Sequence, residues 1–356
     1  MRERAVVQLV REVSRRQIAP RAAHHEHART FPAELFALLA ELDLLGLPFD
    51  PADGGGGHPA TVVSQILTEL SQASLAVGLG TAVHLLATGV VSDHAGPALR
   101  DEVLPRLVAG EWLASCPLAV DGTGGSGPRS VRHGKDWLVN GSVAGVTHAG
   151  DADCYVLFCA VDSSTSSDVV ALLIPGDAVG LERSGDGCLT CRDLRVPDSA
   201  LLGAVGDGRE IASGVVRQGR IGIAACAIGL AHAGLRLTVS TVRAVGAARE
   251  TVTRLADLGV AVEAAEALCQ RAAAEFDAGR PIGRVAGMAA LMATDTARDV
   301  AVHASDVVGD VGEAPDDVAE RYLRQATALE RIGGSRQHRR LAIARELIGT
   351  PADDER

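Results

Sequence analysis

A chain of 356 residues has length for two or three domains at about 150 residues each, and its 47% apolar content excludes disorder as the dominant state. With 34 Lys and Arg against 45 Asp and Glu, a formal net charge of −11 and only 3% aromatic residues, it lacks both the cations and the stacking rings of a nucleic-acid binder. Seven scattered cysteines exclude a disulfide scaffold, and the single CxxC at Cys188 and Cys191 has no second pair at zinc spacing, so no metal is expected.

In chain order, no apolar run or cleavage site follows the charged start Met-Arg-Glu-Arg, so no signal peptide is visible and a cytoplasmic location is expected. Val6, Leu9, Val10 and Val13 recur at helical spacing, and Pro20 is expected to end or break that helix. A second helix begins near Phe31-Pro32, carries Leu35, Leu38, Leu39 and Leu42, and stops at Gly46 and Pro48; Gly54 to Gly57 form a loop. Helices follow at 60–72, 74–91 and 98–108. The apolar run from Leu75 to Val91 contains His84 and several glycines and is too short for a membrane span, so it reads as a buried core helix without membrane insertion.

The texture changes near residue 112. Short alternating or apolar runs lie between turn signals: Trp112–Pro117, Ser130–Arg132, Trp137–Asn140, Cys154–Ala160, Val169–Pro175, Leu181–Arg183 and Thr190–Val196. Helical texture returns near Glu210. Ile221–Leu237 is apolar on nearly every side and should be central, and stretches 249–278, 284–307 and 315–348 read as amphipathic helices. Strands grouped inside runs of helices argue against an alternating βαβ sheet. The expected organisation is an α-helical domain over 1–111, a β domain over 112–205 and a helical bundle over 206–356.

Several motifs occur in an order that resembles one family. They are Phe31-Pro32 through Leu45-Gly46-Leu47 to Gly54-Gly55 with Gly57; Trp137-Leu-Val-Asn-Gly141; Asp193-Leu-Arg-Val-Pro197 with Leu201-Leu-Gly203 and Gly206-Asp-Gly208; Arg220 with Gly229-Leu-Ala231; and the tail Arg339-Arg-Leu-Ala-Ile-Ala-Arg-Glu-Leu-Ile348. Across nearly the whole chain this is similar to the acyl-CoA dehydrogenases. The resemblance implies a mostly α fold of the α+β class: an N-terminal helical domain, a middle β barrel and a C-terminal four-helix bundle. It also implies FAD as cofactor, an acyl-CoA or acyl-carrier-protein substrate, α,β-desaturation, and a homo-oligomer or a hetero-oligomer with a related subunit.

That chemistry needs a carboxylate to take the α-proton, a flavin to take the β-hydride and donors to polarise the thioester carbonyl. The usual base position, in the segment Arg331-Ile-Gly-Gly-Ser335, holds Gly333, and the alternative, just before Arg220, holds Gly219. Glu330, one helical turn before Gly333, is the candidate displaced base. The flavin loop reads Val120-Asp-Gly-Thr-Gly-Gly-Ser-Gly127, which keeps Ser126 but has Gly127 for an aspartate. The flavin-packing Trp-Ile-Thr reads Gly145-Val-Thr147, followed by His148; a Gln-x-x-Gly-Gly-x-Gly segment reads Asp306-Val-Val-Gly309-Asp-Val-Gly312. By resemblance, Ser126, Thr147, His148, Gly309, Gly312 and Ser335 are the cofactor-binding candidates. The Arg-x-x-Phe-Gly of the family is missing near Arg243 and Arg249. Arg336, Arg339 and Arg340 are read either as contacts for a carrier phosphate or as a solvated helix face. Four functions remain open: a divergent dehydrogenase, a non-catalytic partner subunit of a heteromeric dehydrogenase, a flavin-dependent monooxygenase of the same fold, and a flavin-free descendant.

Overall fold

The computed structural model describes residues 2–28, 30–118, 127–162, 168–311, 318–332 and 336–348. They divide into two compact units. One comprises residues 1–30, 59–79 and 220–356, and the other residues 31–58 and 80–219.

The first unit is helical. It opens with α1 (Arg2–Val13), whose Val10 and Val13 are buried. A π-helical turn over Ser14–Ile18 then leads directly into α2 (Ala19–Ala28). Pro20 therefore does not end the helix. A proline lacks the N–H for an α-helical bond and its ring crowds the carbonyl four residues back; the widened turn just before it lets the helix continue. The remaining helices are α4 (Ala60–Ala73), the start of α5 (Leu75–His94), the larger part of α7 (Gly208–Val245), α8 (Arg249–Asp277), α9 (Gly283–Val311), α10 (Val318–Arg331) and α11 (Arg336–Ile348). Proline at the N-cap of α4 offers no side-chain acceptor. Asp277, from the end of α8, takes that role by accepting from the backbone of Ala60 at 2.6 Å and of Thr61 at 3.1 Å. In α7, residues 221–231 are all buried, as their apolar character on every side predicts. Gly229 lets α7 approach α4 closely: a Cβ there would lie 2.4 Å from the Thr68 carbonyl oxygen.

The stretch 315–348, read as helical, holds the two helices α10 and α11. Arg339 folds back from α11 and donates to the carbonyls of Leu329 and Glu330 and to that of Ile332 beyond the last turn, so it closes the C-terminus of α10.

The second unit carries α3 (Ala33–Glu41), the rest of α5, α6 (Pro97–Val108) and an eight-stranded sheet. The strands are β1 (Ala114–Ser115), β2 (Arg129–His133), β3 (Asp136–Val143), β4 (Cys154–Val161), β5 (Val169–Pro175), β6 (Leu181–Ser184), β7 (Cys188–Pro197) and β8 (Leu201–Leu202). Their order is β6-β7-β3-β2-β4-β5-β8, with β1 beside β4. All pairings are antiparallel except β1 with β4 and β2 with β4. The uninterrupted apolar runs of β4 and β5 are buried, and Trp137, Tyr155, Leu157, Leu172, Leu189 and Leu194 form the core of the sheet. Cys188 and Cys191 are strand residues of β7, and all seven cysteines are free. Among the described residues no cluster of His, Cys, Asp or Glu could hold a metal.

Helices α5 and α7 are long and apolar enough to cross a membrane, with mean hydropathy 1.7 and 1.5. Each is mostly buried inside the protein, as a core helix is.

Candidate functional site

The candidate residues divide between the units: Thr147 and His148 lie in the second, Glu330 and Gly309 in the first. Ser126, Gly312, Gly333 and Ser335 lie outside the described residues.

In the second unit, Thr147 and His148 enter a tight turn after β3. The Thr147 carbonyl accepts from the Ser115 hydroxyl. The His148 carbonyl accepts from the backbones of Asp151 and Ala152, both at 3.0 Å, and the Tyr155 hydroxyl donates to the Ala149 carbonyl at 2.7 Å. This turn holds His148 at φ 58°, the left-handed region that side chains other than glycine rarely adopt. Its ring stands edge-on to Phe31 and Phe36, at 5.0 and 5.2 Å, and those two rings stack on each other at 4.9 Å. Gly80 of α5 makes room for the imidazole, since a Cβ there would fall 2.2 Å from His148 Nε2. That Nε2 is out of solvent and has no hydrogen-bond partner. Burial pushes the His148 pKa down to about 4, with the Gly80 backbone opposing and His84 adding to the shift.

One turn along α5 from Gly80, His84 is fully buried. Its Nε2 lies 3.1 Å from the Leu107 carbonyl, and its Nδ1 accepts from the Ala114 backbone at 3.1 Å. This pair of contacts fixes a neutral ring with the proton on Nε2. Burial lowers its pKa to about 4, opposed by the Leu107 and Leu45 backbones. Gly219, the alternative base position, faces leucines: a Cβ would meet Leu86 at 3.3 Å and Leu118 at 3.4 Å.

In the first unit, charge gathers where α9, α10 and α11 meet. Glu330, in the last turn of α10, lies 3.7 Å from Arg298 Nε of α9. Arg336 pairs with Asp295 at 2.6 Å, and Arg340 reaches the same carboxylate at 3.9 Å. Arg339 is 2% exposed and also donates to the Thr294 hydroxyl at 3.1 Å. Burial and the neighbouring Arg220 pull its pKa down, while Asp295 and Glu330 oppose. Arg339 is thus bound up inside the bundle, while Arg336 and Arg340 keep exposed side chains paired with Asp295. Three atoms of the cluster, Glu330 Oε1, Asp295 Oδ1 and Arg336 Nε, are out of solvent without a hydrogen-bond partner. Gly309 is exposed in the last turn of α9, with open space where a Cβ would stand.

The sequence reading missed the role of His84, which it met only as an interruption in an apolar run, and the capping role of Arg339. A lone polar residue inside an otherwise apolar helix is the signal that points to a satisfied buried group.

Residues 2–111 match the acyl-CoA dehydrogenase N-terminal domain and residues 206–348 the C-terminal domain of the same family. An acyl-CoA dehydrogenase of Bacillus subtilis strain 168 is 32% identical, over 96% of this chain and 96% of its own. Two solved structures share the fold. Butyryl-CoA dehydrogenase from Megasphaera elsdenii has a TM-score of 0.89 at 24% identity, covering 97% of this chain and 98% of its own. Glutaryl-CoA dehydrogenase from Mycobacterium smegmatis in complex with FADH2 has a TM-score of 0.89 at 21% identity, covering 99% and 96%. The chain belongs to the acyl-CoA dehydrogenase family of flavoprotein oxidoreductases.

Proposed function

We propose that this chain binds FAD and oxidises an acyl thioester, carried on CoA or on a carrier protein, at its α,β-bond, with Glu330 as the proton-abstracting base. The observation that carries this reading is Glu330 Oε1, a carboxylate oxygen in the last turn of α10, shielded from water and without a hydrogen-bond partner. That oxygen faces Arg298 Nε at 3.7 Å and accepts no hydrogen bond, so it keeps the open valence that a general base uses. In the second unit, the unpartnered Nε2 of His148 fits a group with a hydrogen-bonding edge, as an isoalloxazine has. Thr147 and His148, with Ser126, Gly309, Gly312 and Ser335, are the residues assigned to hold the cofactor. When bound, FAD supplies the acceptor for the hydride that leaves the β-carbon. An oligomer and a cytoplasmic location belong to the same reading.

A second reading is favoured by one contact. The carboxylate of Glu330 faces Arg298, while Gly333 and Gly219 supply none. A chain so arranged would act as the partner subunit of a related dehydrogenase that provides the base.

The test is FAD titration of the purified chain, followed by turnover of acyl thioesters with an artificial electron acceptor. Stoichiometric FAD together with activity lost in Glu330→Gln supports the first reading. FAD binding without turnover, restored by a related second chain and indifferent to Glu330→Gln, supports the second. A chain that takes up no FAD in excess overturns the flavin assignment for the isolated protein.

A further inference from the structure

A cavity of about 450 Å³ opens in the helical unit among α1, the π turn, α4, α7 and α8. It shares no lining residue with the candidate site, and its charges are incompletely matched. Arg11 donates to Glu69 at 2.8 Å, and His232 lies 3.3 Å from Glu266. The hydrogen bond from His232 holds the Glu266 carboxyl below the usual carboxylate range against the cost of its burial. Two guanidiniums on the same lining, those of Arg15 and Arg236, make no hydrogen bond or ion pair with any described residue. Three arginines against two glutamates leave the cavity one net positive charge, His232 not counted.

Arg15 lies in the π turn that carries the helix into Pro20. Arg236 bears the consequence of the crowding: partial burial and the like charge of Arg15 lower its pKa, while Tyr322 and Glu69 oppose. Two like charges facing one cavity repel, and Glu69 on the same lining, already bonded to Arg11, offsets this only in part. A guanidinium presents a planar fork of donors that matches a carboxylate or phosphate in two-point contact. Gln72 adds an amide to the lining, and a cavity of this volume has room for a small metabolite.

We propose that this cavity binds a small anionic molecule through a carboxylate or phosphate group held by Arg15 and Arg236, at a site separate from the flavin chemistry. The proposal does not rest on the flavin reading, and binding is expected with or without FAD.

The experiment is calorimetric titration of the full chain with inorganic phosphate and, separately, malonate, each at constant ionic strength set with chloride. Saturable binding of either probe is the expected result, and the probe that binds tells a phosphate-bearing ligand from a carboxylate-bearing one. Arg15→Gln and Arg236→Gln, each checked for intact helix content, should each weaken that binding by roughly tenfold or more. Arg192→Gln on β7, which removes an exposed ion pair with Glu182 of β6, should leave it unchanged. Absence of saturable binding for both probes, or wild-type affinity in both cavity variants, would overturn the proposal.

Discussion

His84 and His148 are two imidazoles of one unit, both removed from water, both neutral and both depressed to a pKa of about 4. His84 has a partner for each ring nitrogen, whereas His148 has left Nε2 with none. Burial alone therefore does not tell the two rings apart; an unmet hydrogen-bonding valence does. The first ring ties α5 to the end of α6 and to β1. The second is held in a strained turn, among aromatic rings, with one nitrogen unmet. Native proteins rarely keep such an atom without a use.

The largest expected effect is on acid stability, and it treats the two rings alike. Unfolded imidazoles take up protons near pH 6.5, while these two hold out to about 4. Between those values the unfolded state binds more protons, so stability rises with pH. It is complete above about pH 6.5, falls as the pH drops toward 4, and levels off below that, with each ring contributing on the order of 3 kcal/mol. Urea denaturation from pH 8 to pH 4 measures the slope, and replacing either histidine by glutamine should remove about half of it. A slope that survives both replacements would place the acid sensitivity elsewhere.

Side-chain removal should separate what pH does not. His84→Ala leaves the Leu107 carbonyl and the Ala114 N–H without a partner in a dry core, and opens a cavity. The expected loss is about 3–4 kcal/mol in chemical denaturation. His148→Ala gives up ring contacts but orphans no partner of Nε2, and should cost about 1–2 kcal/mol. Equal losses would break the comparison. A third substitution sharpens it. In Gly80→Ala the new Cβ would lie 2.2 Å from His148 Nε2 and 2.6 Å from Phe36 Cζ. Overpacking of that kind costs about 1–3 kcal/mol. Combining it with His148→Ala should recover about 1 kcal/mol, the Phe36 contact accounting for what remains, and a double-mutant cycle reads the coupling directly.

These differences explain which parts of the molecule were legible in the sequence. The helices and strands follow from periodicity, and the uniformly apolar stretch of α7 after Arg220 could only be central. Pro20 misled because a local rule about proline says nothing of the π turn that accommodates it. What closes α10 was hidden for a similar reason: it is a side chain eight residues beyond the last residue of that helix. Arg339 read as a surface cation because composition does not reveal that four acceptors surround it. Of the candidate site, Thr147 was named as a match to a family pattern, and His148 and Glu330 as departures from it. What those departures do depends on their neighbours: Gly80 lies 68 residues from His148 and Arg298 lies 32 from Glu330. Spacing along the chain carries none of that.

The smallest effect is spectroscopic and bears most directly on the unmet valence. His84 should show nitrogen-15 shifts of a neutral ring protonated at Nε2, because Ala114 donates to Nδ1 and the Leu107 carbonyl accepts from Nε2. Neither shift should move when FAD is added, since both nitrogens are already engaged inside the core. His148 starts with a neutral ring and an Nε2 that bonds to nothing. If a flavin edge is its partner, FAD should shift His148 Nε2 while the His84 signals stay in place, and His148→Gln should weaken FAD binding by roughly tenfold, the worth of one hydrogen bond to a buried group. Movement of both histidines together would mean that FAD reorganises the whole unit. Stillness of both, in a chain that nonetheless binds FAD, would leave the strained turn at His148 as a packing device against Phe31 and Phe36, and would take His148 off the list of flavin contacts.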